Sequence, residues 1–459
     1  MMVDDLVALD KRHMIHPVVS WRRHEARGVR VLKSGQGAYV TDASGETLID
    51  AFSGLWCVNA GYGQQSIIDA VQRQLTEIPY ATNYFHYGNE PAIRLAQRLA
   101  ELAPGNLNRV FFTLGGSDAI DSTIRMIRYY YNVTGRPKKK HMIALQRGFH
   151  GSSSLGSGLT ALKNFHEDFD SPTPWQHHIS SPYPYRNPVG QNPRDIIDAS
   201  VRELKDKVAE IGDENVAALF AEPVQGSGGV LVPPDGWFKA MRDAAHELDI
   251  LFVADEVITG FGRTGPMFGC EHDGVVPDLM TLAKGLTSAY QPMGALMMSD
   301  DMYATIADGS PQDRAIGHGF TYSGHPASAA AGLEAIHLYT EGGLLANGQK
   351  IAPRFAEGLK SLYHHPLVGD VRVRGLLAAV ELVTDKHRKT KPAADLNISQ
   401  HLARLSYEKR VIFRAFSDDM AGFAPPLCCS EEDIDTIIQR FREVLDELLL
   451  VNEIRMAAA

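Results

Sequence analysis

The sequence is poor in features that would point to a secreted or membrane protein. It has only four cysteines in 459 residues, none of them in a Cys-x-x-Cys pair, which favours a reduced, intracellular protein. No stretch offers the ~18 uninterrupted apolar residues of a transmembrane helix. The acidic residues 1–5 lack the apolar core of a signal peptide. We therefore expect a cytoplasmic protein with no membrane partner.

Positive charge is also in deficit, since the formal net charge is −10. General nucleic-acid binding relies on basic surface to displace counterions, so no nucleic-acid partner is expected. The lysine run at 138–140 is more simply a solvated turn before a strand. The adjacent histidine pairs at 177–178 and 364–365 lack metal-ligand spacing, and no metal site is expected.

The length and the order of apolar segments predict an α/β fold with more than one domain. A chain of 459 residues exceeds the usual size of a single core. From about residue 60 to 330, strand-like apolar runs alternate with amphipathic stretches, which predicts a mostly parallel sheet between helices. Examples of the runs are 109–113, 141–145 and 216–220.

The C-terminal portion has a different pattern, typical of a smaller α+β domain. It contains an alternating segment at 376–382 and a helical stretch at 431–450, and candidate hairpin strands at 37–42 and 46–50 join it from the N-terminal side. We expect an N-terminal segment at 1–60 that joins the small domain, a large domain at 61–330 and a small domain at 331–459.

Asp255 and Lys284 are the residues that carry the chemistry. Each follows an apolar run of strand length, at 250–254 and 279–283, and the carboxyl ends of parallel strands are where α/β sheets bind ligands. The pair suggests a Schiff-base lysine and a carboxylate that keeps a pyridine nitrogen protonated, as pyridoxal phosphate requires. Taken singly, the aspartate could be a helix cap and the lysine a gatekeeper beside a hydrophobic strand.

A candidate phosphate cradle lies at Gly116 and Ser117. They follow a strand and open a helical pattern with isoleucines 120, 124 and 127 on one face, and a helix N-terminus attracts anions. The alternative is an ordinary strand-to-helix turn with Ser117 as N-cap. Phe149 and His150 follow another strand, and Phe149 could stack on a planar ring or belong to the core.

A longer motif carries a resemblance. The segment DEVITGFGRTG at 255–265, followed by Lys284–Gly285, strongly resembles the signature of class III aminotransferases, which are fold-type I pyridoxal-phosphate enzymes. The similarity runs from about Trp56 to Pro426. It is closest to the ω-transaminases that pair amines with pyruvate, including the putrescine–pyruvate branch. It implies the fold-type I architecture, with a large domain and a smaller α+β domain built from both termini.

The resemblance also implies roles for individual residues. Lys284 and Asp255 are the catalytic pair, and the expected cofactor contacts are Gly116, Ser117, Phe149, His150, Glu222, Val257, Phe320 and Thr321. The last two positions serve the phosphate of the partner subunit in the family. An obligate homodimer with shared active sites is therefore implied, and a tetramer is left open.

Three residues bear on the substrate. Trp56 matches a family tryptophan that lines the pocket, and Arg414 matches a mobile arginine that binds the carboxylate of pyruvate or alanine. Phe149 stands where most relatives carry tyrosine, so stacking survives but a phenol hydroxyl is lost.

The implied reaction moves an amino group from an ω-amine, diamine or arylalkylamine to pyruvate, giving an aldehyde or ketone and L-alanine. The alternatives are a 4-aminobutyrate-type transaminase that uses 2-oxoglutarate, a racemase on the same fold, and a non-catalytic cofactor-binding sensor. Such sensors usually carry a separate DNA-binding module, and only a short segment precedes the core here.

Overall fold

The computed structural model describes residues 3–458 as a mixed α/β protein. Predictions that include Met1, Met2 or Ala459 lie outside the described residues at those positions. The strands are β1 Leu32–Gln36, β2 Tyr39–Asp42, β3 Thr47–Asp50, β4 Arg109–Thr113, β5 His141–Leu145, β6 Gln176–Ile179, β7 Val216–Ala221, β8 Leu251–Asp255, β9 Leu279–Leu282, β10 Gly294–Met298, β11 Val368–Arg374, β12 Leu377–Leu382, β13 Val411–Ile412, β14 Arg414–Phe416 and β15 Met420–Phe423.

The helices alternate with the strands of the middle of the chain and cluster again near its end. They are α1 Val3–His13, α2 Trp21–Arg27, the short kinked turn α3 Ser53–Trp56, α4 Gln65–Glu77, α5 Glu90–Leu102, α6 Gly116–Val133, α7 Pro193–Ile211, α8 Trp237–Glu247, α9 Asp300–Gly309, α10 Pro326–Tyr339, α11 Leu344–Ser361, α12 Ile398–Glu408, α13 Glu431–Leu448 and α14 Asn452–Ala457.

A seven-stranded sheet forms the centre of the molecule, in the order β4-β10-β9-β8-β7-β5-β6. Its neighbours are parallel except that β10 runs antiparallel to both β9 and β4. All but one residue of β7, β8 and β9 are buried, as expected for strands covered on both faces. The predicted mostly parallel sheet is confirmed, and β8 and β9 end at the same edge.

Two four-stranded sheets complete the fold. One has the order β1-β2-β3-β13, and the other has the order β11-β12-β15-β14. The predicted N-terminal hairpin is present as the antiparallel pair β2–β3, and β3 also pairs in parallel with β13. The beginning of the chain therefore joins its C-terminal portion, while the exact domain boundaries at 60 and 330 stay a prediction.

Two local predictions were wrong. The segment at 376–382 forms a strand, but every residue of β12 is buried rather than alternating, because other chain segments cover both of its faces. Lys139 is buried rather than solvated, and its ammonium group donates to the carbonyl of Asp249 at 2.5 Å.

None of the helices within residues 3–458 is long and apolar enough to cross a membrane.

Candidate active site

Asp255 occupies the last position of β8 and is 3% exposed. Its Oδ1 accepts hydrogen bonds from the amide of Val257 and from the hydroxyl of Thr281, both at 3.1 Å. Thr281 lies opposite Asp255 in the parallel β8–β9 register. Several donors therefore surround this buried carboxylate, which offsets part of the cost of removing its charge from water.

His150 completes the surroundings of this carboxylate. It is 1% exposed, and its Nδ1 lies 2.8 Å from Oδ2 of Asp255. A carboxylate only accepts, so Nδ1 is the donor. Burial alone would lower the pKa of His150, but the hydrogen bond and charge of Asp255 outweigh it and raise that pKa. Nε2 of His150 is buried and has no hydrogen-bond partner among residues 3–458.

Glu222 fixes the loop that carries Phe149. Its Oε1 accepts from the amide of Phe149 at 3.0 Å, and its Oε2 accepts from the amide of Gly226 at 2.9 Å. Burial raises the pKa of Glu222 to about 7, with the nearby His150 opposing the shift and Asp255 adding to it. The ring of Phe149 is half-buried and meets Phe165 edge-on, with centroids 5.3 Å apart.

Lys284 follows β9 at the edge of the sheet where Asp255 lies. Its φ is +48°, in the left-handed region that non-glycine residues seldom adopt and that tends to occur at functional sites. Burial lowers the pKa of Lys284, while Cys57, Asp255 and Glu222 counteract this effect and the positive charge of Arg414 reinforces it. A lowered pKa makes the amine a better nucleophile and base near neutral pH.

The N-terminus of α6 lies against both catalytic segments. A Cβ on Gly116 would approach Cγ1 of Val257 to 3.0 Å and Cβ of Ala283 to 3.7 Å, so the glycine permits this close packing. The N-cap is Gly115, which supplies no side chain, and the first amides of a helix have no carbonyl of their own helix to bond. Such a helix start can hold an anion, and the anion site predicted here from the sequence stays a prediction.

Ser117 is not the N-cap of α6, so that alternative was wrong. Its hydroxyl accepts from the amide of Ser152 at 3.2 Å, and a Cβ on Gly151 would lie 2.8 Å from the same hydroxyl. The loop after His150 is thus packed on the start of α6. The structure brings together the segments of Gly116, Ser117, His150, Asp255 and Lys284.

A second group of predicted residues lies in a small hydrophobic cluster. Trp56 is 1% exposed and packs between Phe52 and Phe416, at ring distances of 4.6 and 6.5 Å. The guanidinium of Arg414 lies over the Phe416 ring at 4.8 Å from its centroid. Within residues 3–458, Arg414 forms no ion pair, which leaves its charge available for a carboxylate.

Phe320 and Thr321 are not brought to this site within one chain. Thr321 is exposed, and its carbonyl accepts a hydrogen bond from Tyr80 at 2.8 Å. The amide of Phe320 donates to the hydroxyl of Ser323. Among the described residues no hydrogen bond, ion pair or ring contact links them to Lys284 or Asp255, which leaves them available to a partner subunit.

Sequence reasoning missed three residues that help to build the candidate site. Thr281 was visible as the polar residue of an otherwise apolar strand, but Phe416 looked like any core aromatic. Arg147 forms an ion pair with Asp418, and thereby ties the loop before Phe149 to the β14–β15 hairpin. No local signal in the sequence announces that pair.

Comparison with known proteins agrees with this geometry. The profile of class III aminotransferases matches residues 21–445. The chain belongs to the class III aminotransferases. Among its relatives are the putrescine–pyruvate aminotransferase of Pseudomonas aeruginosa, 39% identical over 96% of this chain and 95% of that protein, and the diaminobutyrate–2-oxoglutarate transaminase of Halomonas elongata, 36% identical over 97% and 96%.

Solved aminotransferases share the fold over the whole chain. The ω-transaminase of Pseudomonas jessenii in complex with PMP is 37% identical, covers 97% of this chain and 98% of that one, and superimposes with a TM-score of 0.95. The class III assignment made from the DEVITGFGRTG segment and the fold-type I architecture are both confirmed.

Proposed function

We propose that this class III aminotransferase uses pyridoxal phosphate to move an amino group from an ω-amine, diamine or arylalkylamine to pyruvate, giving an aldehyde or ketone and L-alanine. The observation that carries the proposal is the meeting of Lys284, the His150–Asp255 pair and the N-terminus of α6 at one sheet edge. The putrescine–pyruvate relative supports the choice of amine donor and acceptor.

The residues present fit the cofactor. When bound, pyridoxal phosphate supplies an aldehyde that condenses with amines and a ring that accepts an electron pair. The unpaired amides at Gly116 and Ser117 suit its phosphate, and the side chain of Val257 and the ring of Phe149 are apolar surfaces for its ring. The ω-transaminase relative solved with PMP supports the same assignment.

Asp255 is proposed to hold a proton on the pyridine nitrogen. Its Oδ1 is occupied by Val257 and Thr281, and its Oδ2 is oriented by Nδ1 of His150. A carboxylate fixed by three donors keeps its charge in a buried site. Asp255 in turn raises the pKa of His150 through their hydrogen bond and its charge, and so favours the protonated form of the imidazole.

Lys284 is proposed to act first as a nucleophile and then as a base. Its Nζ would bind the aldehyde of the cofactor, and once a donor amine takes that place the free Nζ would accept the proton from the amino-bearing carbon of the donor. Burial lowers the pKa of Lys284, which favours the unprotonated form of this amine. The same steps in reverse deliver the amino group to pyruvate.

Arg414 and Trp56 are proposed to choose the substrate. A guanidinium grips a carboxylate through two hydrogen bonds, and among the described residues Arg414 has no carboxylate partner to compete with pyruvate. Its stacking on Phe416 is weak enough to break when the side chain relocates for an uncharged donor. Trp56 packs on the same phenylalanine and is proposed to form the apolar wall of the substrate pocket.

Replacing Arg414 by alanine is expected to raise the KM for pyruvate. Loss of hydrogen bonds to a charged group costs roughly 1.5–3 kcal/mol, or about 10- to 100-fold in kcat/KM. The half-reaction with 1-phenylethylamine, which has no carboxylate, should change much less. Stopped-flow measurement of each half-reaction separates the two effects. Arg404→Ala, on the surface of α12, is the control, and an unchanged KM for pyruvate would contradict the assignment.

The function itself is tested by the visible absorbance of the purified protein. Putrescine or 1-phenylethylamine should bleach the band of the bound cofactor, and pyruvate should restore it with formation of L-alanine. A panel that includes β-alanine and 4-aminobutyrate ranks the donors. Bound cofactor that never turns over with any donor would instead support the sensor, and α-amino acids as much the best donors would contradict the proposed pocket.

A 4-aminobutyrate-type transaminase using 2-oxoglutarate is the second candidate. The relative named for diaminobutyrate and 2-oxoglutarate, which matches the chain over nearly its full length, favours it. The two candidates differ in the acceptor, so the ratio of kcat/KM for pyruvate to that for 2-oxoglutarate decides between them. We expect pyruvate to be preferred.

We also propose that the active sites are shared in a homodimer. Two observations support this arrangement. Thr321 is exposed, and within residues 3–458 no hydrogen bond or ring contact links Phe320 to Lys284. Light scattering should give the mass of a dimer or a tetramer, and a stable, fully active monomer would exclude sharing. The cytoplasmic location stays a prediction.

A further inference from the structure

Three metal-binding side chains converge at the N-terminal end of the chain, outside the catalytic residues. Asp10 lies near the end of α1, His24 lies on α2, and His16 lies in the connection between them. Oδ1 of Asp10 is 2.6 Å from Nε2 of His16, and its Oδ2 is 3.0 Å from Nε2 of His24. One ligand atom from each residue lies within 4.8 Å of the other two.

The side chains of this cluster are largely shielded from solvent in a mostly exposed segment. The side chains of Asp10, His24 and His16 are 9%, 16% and 20% exposed, whereas α1 and α2 contain no buried residue. In the connection, Met14 and Ile15 are 60% and 75% exposed. The polar cluster therefore links α1 to α2 where neither helix has a fully buried residue, and small segments without a core are often held by a metal ion.

We propose that Asp10, His16 and His24 form a binding site for a divalent transition-metal ion of the zinc type. Two imidazoles and a carboxylate are a donor set that suits zinc and its neighbours rather than calcium or magnesium. Donor atoms on a tetrahedral zinc ion lie about 3.3 Å apart, and the two N···O distances in the cluster are within about 1 Å of that spacing.

The site leaves one coordination position to water and is far in sequence from the catalytic residues. The ion would fasten α1 to α2 and would not take part in transamination. Sequence inspection missed the site because His16 and His24 lie 6 and 14 residues after Asp10. The three ligands belong to separate elements and form no short ligand motif.

The test uses the intact holoenzyme without an affinity tag, and Zn²⁺ as the probe. Calorimetry should show one ion per chain with a micromolar Kd. Hydrogen exchange of the amides at 3–27 should slow when Zn²⁺ is added, because the ion crosslinks α1 and α2. The double variant with His16→Gln and His24→Gln keeps hydrogen-bond donors toward Asp10 but lacks imidazole ligands, and should lose about 10-fold or more in affinity.

His13→Ala is the matched control, since His13 is an exposed histidine of the same segment and its removal should leave the Kd unchanged. Asp10→Asn tests the carboxylate separately. Equal Zn²⁺ affinity in the parent and the double glutamine variant would overturn the site, as would absence of binding at about 100 µM Zn²⁺, a concentration well above a micromolar Kd. In either case the cluster is a hydrogen-bonded clasp only.

Discussion

Replacing Lys284 by alanine is expected to abolish transamination. The variant loses the amine that is proposed both to hold the cofactor covalently and to move the proton, and general acid–base catalysis alone contributes up to about 10⁴-fold. Alanine keeps a Cβ and so meets the same backbone cost at φ +48° as lysine does. The fold should therefore be retained. Single-turnover rates with putrescine and pyruvate measure the loss.

Two controls make this result specific. Lys239→Ala removes a surface lysine that pairs with Asp243 and should leave turnover unchanged. A small added amine such as methylamine should restore part of the proton transfer in Lys284→Ala, which a merely structural lysine would not allow. Near-normal transamination by Lys284→Ala would contradict the assignment of Lys284 as the catalytic residue.

Replacing Asp255 by asparagine is expected to lower kcat by about 10³-fold, comparable with losses when a preorganised charge or hydrogen bond is removed from an active site. The negative charge that is proposed to hold the pyridine proton disappears, and His150 loses the charged partner that raises its pKa. Shape is conserved, and the amide oxygen still accepts from Val257 and Thr281. The chain should fold and bind cofactor while the proton transfer slows.

The same substitution also distinguishes a catalytic role of Asp255 from a role as a local backbone cap. Asp255 accepts from the amide two residues ahead, as a local cap does, and asparagine caps as well as aspartate. If capping were its only role, Asp255→Asn would retain normal kcat. Asp255→Glu, which keeps the charge, should recover part of the rate. Asp235→Asn, at an exposed aspartate paired with Arg374, is the control for a general effect of charge.

The local pattern of the sequence was sufficient for the elements that carry the catalytic pair. Asp255 and Lys284 each follow a short apolar run, and both runs are strands that end at one edge of the central sheet. The glycines at 115–116 mark the start of α6 correctly. Such features depend on neighbours in the chain, so periodicity and residue type reveal them.

Strand direction and the burial of a strand on both faces were harder to predict from the sequence. The antiparallel β10 inside a mostly parallel sheet and the complete burial of β12 depend on which strands become neighbours. The ammonium group of the buried Lys139 donates a hydrogen bond to the carbonyl of Asp249, and the lysine run by itself gives no sign of that partner.

The sequence by itself determined the family and predicted the catalytic pair and the anion-binding turn, since each is encoded within a few consecutive residues or a long signature. Only the tertiary structure decided that His150 is the partner of Asp255, 105 residues away, that Phe416 joins Trp56 to Arg414, and that Asp10, His16 and His24 converge. Contacts between distant residues follow from chain topology and packing, which no local period records.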